Sequence, residues 1–348
     1  MNQQQKSYDP SVDYGKYPTL APLPEELTGR FARCESCGGA DFRFLLPNWT
    51  AVCKKCGATL RLPMQKPAPR LMQTAPKIPI KKKELPNIQI SGTIGHTVLL
   101  RPDGTVRATG NNDYGQCNVS DWRDIIAIST NGENTAGLRR DGTVVMTGRD
   151  SSRRDTSDWT DITAISINGL YLAGLRRNGT VVFTGIGYLM DAAKTWSNIT
   201  QICASSCCLL GLRSDGTVVT AGSNPNGILN ASLWTHVRTI APGLLHVLGL
   251  RDNGTVTALG ISENNRCDVQ SWTNITALSA SYVHSVGLRV DGKVVAVGEN
   301  AYSRCSVQHW TNVAKIWAGC HFTAAMQHDG TILCTNPGMK QWILEALS

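Results

Sequence analysis

Four cysteines are spaced to bind a metal. Cys34 and Cys37 form one CxxC pair, Cys53 and Cys56 form a second, and 15 residues separate the pairs. As thiolates they supply a complete tetrahedral shell for one Zn2+. Gly38 and Gly57 follow the second cysteine of each pair, where a backbone without Cβ can turn around an ion. A closed four-sulfur shell has no open coordination position, so the expected role is structural.

The segment that must position these ligands is FRFLLPNWTAV (42–52), which reads as two short strands around Pro47-Asn48. Residues 31–60 therefore resemble a zinc ribbon. Iron in a rubredoxin-like site would use the same knuckles, so spacing alone leaves zinc against iron open. A unit this small buries little core, and metal binding would supply much of its folding free energy. Residues 1–87 carry 14 Lys+Arg against 7 Asp+Glu, including Lys81-Lys82-Lys83. That excess fits either a solvated basic face or a contact with phosphate backbone through residues 31–87. Residues 88–348 carry 20 against 19 and are nearly neutral.

Elsewhere the chemistry-bearing residues are part of a repeat. The phrase LRRDGTVVMTG (138–148) recurs from LRPDGTVRATG (100–110) to MQHDGTILCTN (326–336), seven copies in all. Its turn glycines are Gly104, Gly142, Gly179, Gly216, Gly254, Gly292 and Gly330, spaced by 37 or 38 residues. Trp122, Trp159, Trp196, Trp234, Trp272 and Trp310 keep the same step, and a shortened last copy ends at Trp342. Such a period marks a solenoid or a propeller. Within one unit, DIIAIS, TAGLRR and TVVMTG read as three strands, the last two joined at Asp141-Gly142 by a hairpin of type I′. Seven three-stranded sheets close into a ring without long free edges. The expected fold class is all-β: a seven-bladed β-propeller over 88–348 with three-stranded blades. A flexible segment (1–30), the ribbon (31–60) and a Pro/Lys-rich linker (61–87) precede it. Each Trp, just before a first strand, is placed to plug the space between blades.

Several segments carry a family resemblance. GNNDYGQCNV (110–119), the W-x-D-I-x-A-I phrase after it, and His96-Thr97 with Leu100 in the strand before it resemble the repeats of the regulator of chromosome condensation family. The resemblance implies a seven-bladed propeller. The short period is most similar to compact bacterial relatives, including the β-lactamase inhibitor protein. The GxNxxGQ phrase is complete only at 110–116, and the even spacing leaves no room for the inserted wedge on which nucleotide exchange in the eukaryotic founder depends. A guanine-nucleotide exchange role is thus a weaker alternative, as is nucleic-acid-associated regulation through the ribbon.

No GxSxG, HExxH or P-loop phrase is present. His96, His246 and His284 share one repeat position on separate blades, which reads as scaffold rather than a catalytic group. Arg101, Arg139, Arg176, Arg213, Arg251 and Arg289 precede the turns and are expected to pair with acids such as Asp103, Asp141, Asp215 and Asp291. The copies disagree in two loop sets that open on the face opposite the turns. These loops carry Leu170, Tyr171, Tyr188, Met190, Leu244, Tyr282, Tyr302 and Phe322, residue types suited to protein recognition. The expectation is a non-enzymatic adaptor that binds a protein partner there, with no small-molecule substrate. No apolar run approaches the ~18 residues of a membrane helix, and MNQQQKSYDPSVDYG has no signal-like apolar stretch. The expected location is the cytoplasm, with the scattered cysteines reduced.

Overall fold

A computed structural model describes the backbone at 42–45, 50–53 and 59–61, and residues 85–149, 154–185, 188–205, 208–224 and 226–348. The chain divides into two units, Met1–Lys82 and Lys83–Ser348.

In the first unit β1 (Phe42–Leu45) pairs antiparallel with β2 (Thr50–Cys53), with Phe42 opposite Cys53. The chain reverses between Leu45 and Thr50; the expected turn residues, Pro47-Asn48, lie outside the described residues. A third strand, β3 (Thr59–Arg61), pairs with β2. Cys53 ends β2; Cys34, Cys37 and Cys56 lie outside the described residues.

The second unit contains seven three-stranded antiparallel sheets, each built from one continuous stretch of chain. Blade 1 is β4 (Gln89–Gly92), β5 (His96–Leu100) and β6 (Val106–Gly110). Blade 2 is β7 (Ile125–Thr130), β8 (Asn134–Arg139) and β9 (Val144–Gly148). Blades 3 to 7 repeat the order over 162–185, 199–222, 237–260, 275–298 and 313–334. The first strands of successive blades touch one another, and that of blade 7 touches β4, which closes the ring. These inner strands line a central channel. Leu85, within the stretch that reads as linker, already packs against the blade 7 side of the core.

The tryptophans seal the seams. A Cβ added to Gly137, in the middle strand of blade 2, would lie 2.7 Å from the Trp122 ring. The same glycine–indole contact recurs at Gly174 with Trp159, Gly211 with Trp196, Gly249 with Trp234 and Gly287 with Trp272. Trp122 also packs with Val98, Leu100 and Val106 of blade 1, so one indole fills the wedge between two sheets. The seam between blades 7 and 1 has no such link. There a C-terminal helix, α1 (Pro337–Leu347), closes the gap. Its Ile343 and Ala346 are buried against Ile88, Ile90 and Leu99 of blade 1 and Phe322, Met326 and Ile332 of blade 7. Trp342, which marks a last repeat in sequence, belongs to this helix.

The Asp-Gly turns differ from the expected two-residue form. Arg139 N donates to Thr143 O (2.8 Å), and Gly142 N donates to Arg139 O (3.0 Å), so the loop has three residues. Gly142 alone takes a left-handed φ, +85°, and Asp141 is not among the positive-φ residues. This is the turn followed by a left-handed glycine that gives a bulged hairpin. The Asp141 side chain then bonds across its own turn, where Oδ1 accepts from Thr143 N (2.9 Å) and Thr143 Oγ1 (2.7 Å). Asp103 and Asp215 bind Thr105 and Thr217 in the same way. These hydrogen bonds hold the three carboxyls below the usual carboxylate range. Among the described residues, the expected pairing with the preceding arginine is a close ion pair only at Arg289–Asp291 (3.7 Å). The turn also couples blades, since Gly104 O accepts from Ile125 N, the first residue of the next inner strand (3.0 Å).

Candidate functional site

Antiparallel pairing sets what the two faces of the ring carry. The middle strand starts where the inner strand ends, and the outer strand ends beside it: Asn134 pairs with Gly148 in blade 2. The loops between inner and middle strands and the starts of the inter-blade links therefore share one face. The Asp-Gly turns occupy the other.

At the centre of the loop face the channel opens into a cavity of about 450 Å3. Among the described residues its wall contains no charged side chain and is made of Ser, Thr, Asn, Gln, Gly, Pro242, Tyr282 and aliphatic residues. The polar groups are spent on the scaffold. Ser91 Oγ meets Thr130 Oγ1 of the next blade (2.7 Å), and Ser166 Oγ accepts from Ala204 N (2.9 Å). Asn131 donates to Asn168 O (2.6 Å), Asn168 to Ser205 O (2.6 Å), and Ser205 to Leu244 O (2.9 Å). Each bond crosses to the following blade, so the loops of blades 2 to 5 are stitched in series. Gln201 performs the same function deeper in the channel, donating to Ile240 O (2.7 Å) and accepting from Ile240 N (2.9 Å). What the mouth presents outward is Ile94, Leu244 and Tyr282.

Outside the mouth stand two aromatic clusters. Tyr114, 47% exposed, has the Arg149 guanidinium 5.0 Å from its ring centre, and Arg149 is held by Glu133 (2.9 Å). Tyr302, 58% exposed, meets the His321 ring edge-on at 5.3 Å. Beneath Tyr302 the buried Arg304 lies 5.1 Å from its ring and pairs with Glu299 (3.3 Å). Tyr114 and Tyr302 occupy the same place in their links, four residues after Gly110 and Gly298.

The repeat phrase around Tyr114 has a structural meaning. Gly110 (φ +112°) lies so close to the chain that an added Cβ would sit 2.5 Å from Gly95 O. Asn112 Oδ1 accepts from Cys117 N (2.7 Å), and buried Gln116 bridges Tyr114 N and Asn111 Oδ1 (2.9 and 2.7 Å). Residues 88–116, ending at this Gln, match the family model of the regulator of chromosome condensation (RCC1) repeat. The fold agrees with solved structures. The CRINKLY WD40 ectodomain of the Arabidopsis thaliana receptor kinase ACR4 superposes with a TM-score of 0.57 at 20% identity, covering 72% of this chain and 94% of that one. The ectodomain of the Physcomitrella patens receptor kinase CR4 gives 0.55 at 18% identity, covering 71% and 72%. Yeast RCC1 (Prp20), in its complex with Kap60, gives 0.50 at 17%, covering 66% and 72%. The ring is an RCC1-like propeller. No curated protein sequence matches the chain.

Within this RCC1-like propeller the expected contact residues separate into groups. Leu170 (43% exposed) and Tyr302 stand on the loop face; Leu244 (38%) and Tyr282 rim the channel mouth. Tyr171 (0%) and Phe322 (2%) are corrections: both are core residues. Tyr171 opens the middle strand of blade 3 and Phe322 directly precedes that of blade 7, the repeat position held by His96, His246 and His284 elsewhere, and both pack between blades. The side chains of Tyr188 and Met190 lie outside the described ones. Sequence reasoning passed over Ile94 (58%) and Tyr114, although their loop positions are equivalent to those of the named residues. It also left unassigned the buried guanidiniums of Arg154, Arg266 and Arg304, which lie six residues after the outer-strand glycine, where Gln116 lies in blade 1. Arg154 donates to Gly169 O (3.0 Å) and Arg266 to Tyr282 O (3.1 Å), fixing the neighbouring loops. Among the described residues no cluster of three His, Cys, Asp or Glu could hold a metal, and no helix is long and apolar enough to cross a membrane.

Proposed function

We propose that this protein is a non-enzymatic interaction module of the cytoplasm whose propeller binds a protein partner through its loop face. One observation carries the reading. Of eight exposed large hydrophobic side chains among the described residues, five (Ile94, Tyr114, Leu170, Leu244 and Tyr302) belong to loop-face segments. The turn face is instead occupied by self-satisfied Asp–Thr turns. Aromatic and aliphatic anchors around a neutral centre are what a protein interface uses. Among the described residues that line it, the channel offers hydroxyls, amides and aliphatic groups, a lining that suits binding. Yeast RCC1 (Prp20), a structural neighbour, is bound to Kap60 in one crystal structure, and Prp20p has been crystallised in work on its binding to Gsp1p and histones. In this reading the ribbon, with zinc on Cys34, Cys37, Cys53 and Cys56, provides a second contact.

The test compares the proteins retained by the full chain with those retained by two variants. Leu244→Asp with Tyr302→Ala alters the loop face; Val290→Asp, at a site 72% exposed on the turn face, is the control. A partner lost from the first and kept by the second supports the reading. A partner set that survives the loop-face change, or disappears with Val290→Asp, overturns it.

A further inference from the structure

Three buried imidazoles bridge neighbouring blades just beneath the loop face. His96 Nε2 lies 2.7 Å from Thr135 Oγ1 of blade 2. His246 Nε2 lies 2.9 Å from Ser285 Oγ of blade 6, and His284 Nε2 lies 2.8 Å from Thr323 Oγ1 of blade 7. Each hydroxyl also donates to a carbonyl in the link before its own blade. Thr135 reaches Gln116 O (2.8 Å), Ser285 reaches Arg266 O (2.7 Å) and Thr323 reaches Arg304 O (2.6 Å). A hydroxyl has one proton. With that proton on the carbonyl, only its lone pairs face the imidazole, so Nε2 must carry the hydrogen. In the neutral ring Nδ1 is then an acceptor, and Ser281 Oγ stands 2.8 Å from Nδ1 of His284.

We infer that the three relays form an acid-release latch, which holds the interfaces of blades 1–2, 5–6 and 6–7 closed only while these imidazoles are neutral. The surroundings oppose a positive charge. His96, His246 and His284 are 2%, 0% and 0% exposed. The charged groups nearest His246 and His284 are the guanidiniums of Arg266 and Arg304, themselves buried. The matching carboxylates, Glu263 (3.6 Å from Arg266) and Glu299 (3.3 Å from Arg304), are engaged by those arginines. Cys267, Cys305 and Cys320 lie in the same neighbourhood, and burial pushes their thiols up and keeps them neutral. At His96 the position of the arginine is taken by uncharged Gln116, and burial disfavours the proton against a smaller opposing hydrogen bond to the Gly132 backbone. Burial, with Arg266 beside it at His246, lowers His96 and His246 to about 4; burial, with Arg304 and His246 beside it, lowers His284 to about 3. A depressed folded-state value means that the stabilisation is complete above the unfolded value of ~6.5 and is lost as pH falls toward 4.

The latch is asymmetric. Blades 2, 3 and 4 carry Asn134, Tyr171 and Cys208 at the imidazole position, and the repeat position of the hydroxyl in the next blade is held by Leu172, Leu209 and Val247. Acid should therefore open one sector of the ring and spare the other. Because the relays underlie the loops, the loop face would loosen with them; release of a bound partner rests on the function proposed above.

Hydrogen exchange of the full chain at pH 7 and pH 5 tests the latch, with rates corrected for intrinsic pH dependence. Protection in strands 246–251, 284–289 and 323–327 should fall on the order of tenfold per pH unit for each imidazole that must charge. Strands 171–176 and 208–213 should keep theirs. A triple His→Gln variant, which retains an N–H donor but cannot titrate, should keep its protection at pH 5. Uniform loss around the ring, or a variant as acid-sensitive as the wild type, would overturn the latch. Should the variant not fold, imidazole NMR shifts of the wild-type chain decide: titration near pH 6.5 in the folded state refutes it, and flat shifts above pH 5 support it.

Discussion

Removing the apolar contact that closes the ring should unfold the propeller from its seam. Six seams are sealed by an indole from the preceding link, but the one between blades 7 and 1 relies on α1. The helix is well started: Asn336 Oδ1 caps Met339 N (2.9 Å) and Pro337 follows at the first position. Ile343 is 0% exposed and sits in the cluster that joins the two blades. Ile343→Ala removes three buried carbons and leaves a cavity that two rigid sheets cannot fill, a cost of about 3–4 kcal/mol. Against a domain stability of roughly 5–15 kcal/mol, that is a large fraction. With a denaturant slope of ~3 kcal/mol/M, the urea midpoint should drop by about 1 M. Leu344, one residue on and 44% exposed, is the internal control. Leu344→Ala should cost no more than ~0.5 kcal/mol. Hydrogen exchange should show blades 1 and 7 opening first in Ile343→Ala. If both variants shift the midpoint equally little, or exchange rises evenly across all blades, the helix does not clasp the ring and the reasoning fails.

The other expectations are more local. Trp234→Ala, emptying the seam over Gly249, should destabilise by about 3–5 kcal/mol in chemical denaturation. Gly142→Ala forces a Cβ into a φ of +85° and should cost about 1 kcal/mol or more; an unchanged midpoint would contradict the bulged-turn assignment. Zinc analysis of the purified chain should give one ion per molecule, lost in Cys34→Ser with Cys53→Ser, while the propeller melts unchanged. DNA or RNA binding by the full chain at low salt, falling steeply as salt rises, would favour the basic N-terminal region as a nucleic-acid contact over the protein-binding reading.

Much of this architecture is present in the sequence because a repeat is a local object. Each copy of LRxDGT must turn at its glycine, and each Trp must precede an inner strand, so blade number and strand order follow from spacing. The proposed metal ligands rest on the same local kind of signal, since CxxC would place two thiolates on one knuckle. The contacts that hold the ring together lie between copies. His96 finds Thr135, His246 finds Ser285 and His284 finds Thr323, always 39 residues away, one period and one or two residues. That offset is visible in the sequence only once the ring shows which residues face each other. Tyr171 and Phe322 illustrate the limit most plainly. By type they suit a binding rim, yet they stand where the histidines stand and are turned into the seam. Composition records that a side chain is aromatic. Whether it meets solvent or the neighbouring blade is set by the angle at which two sheets pack, and only the closed ring fixes that angle.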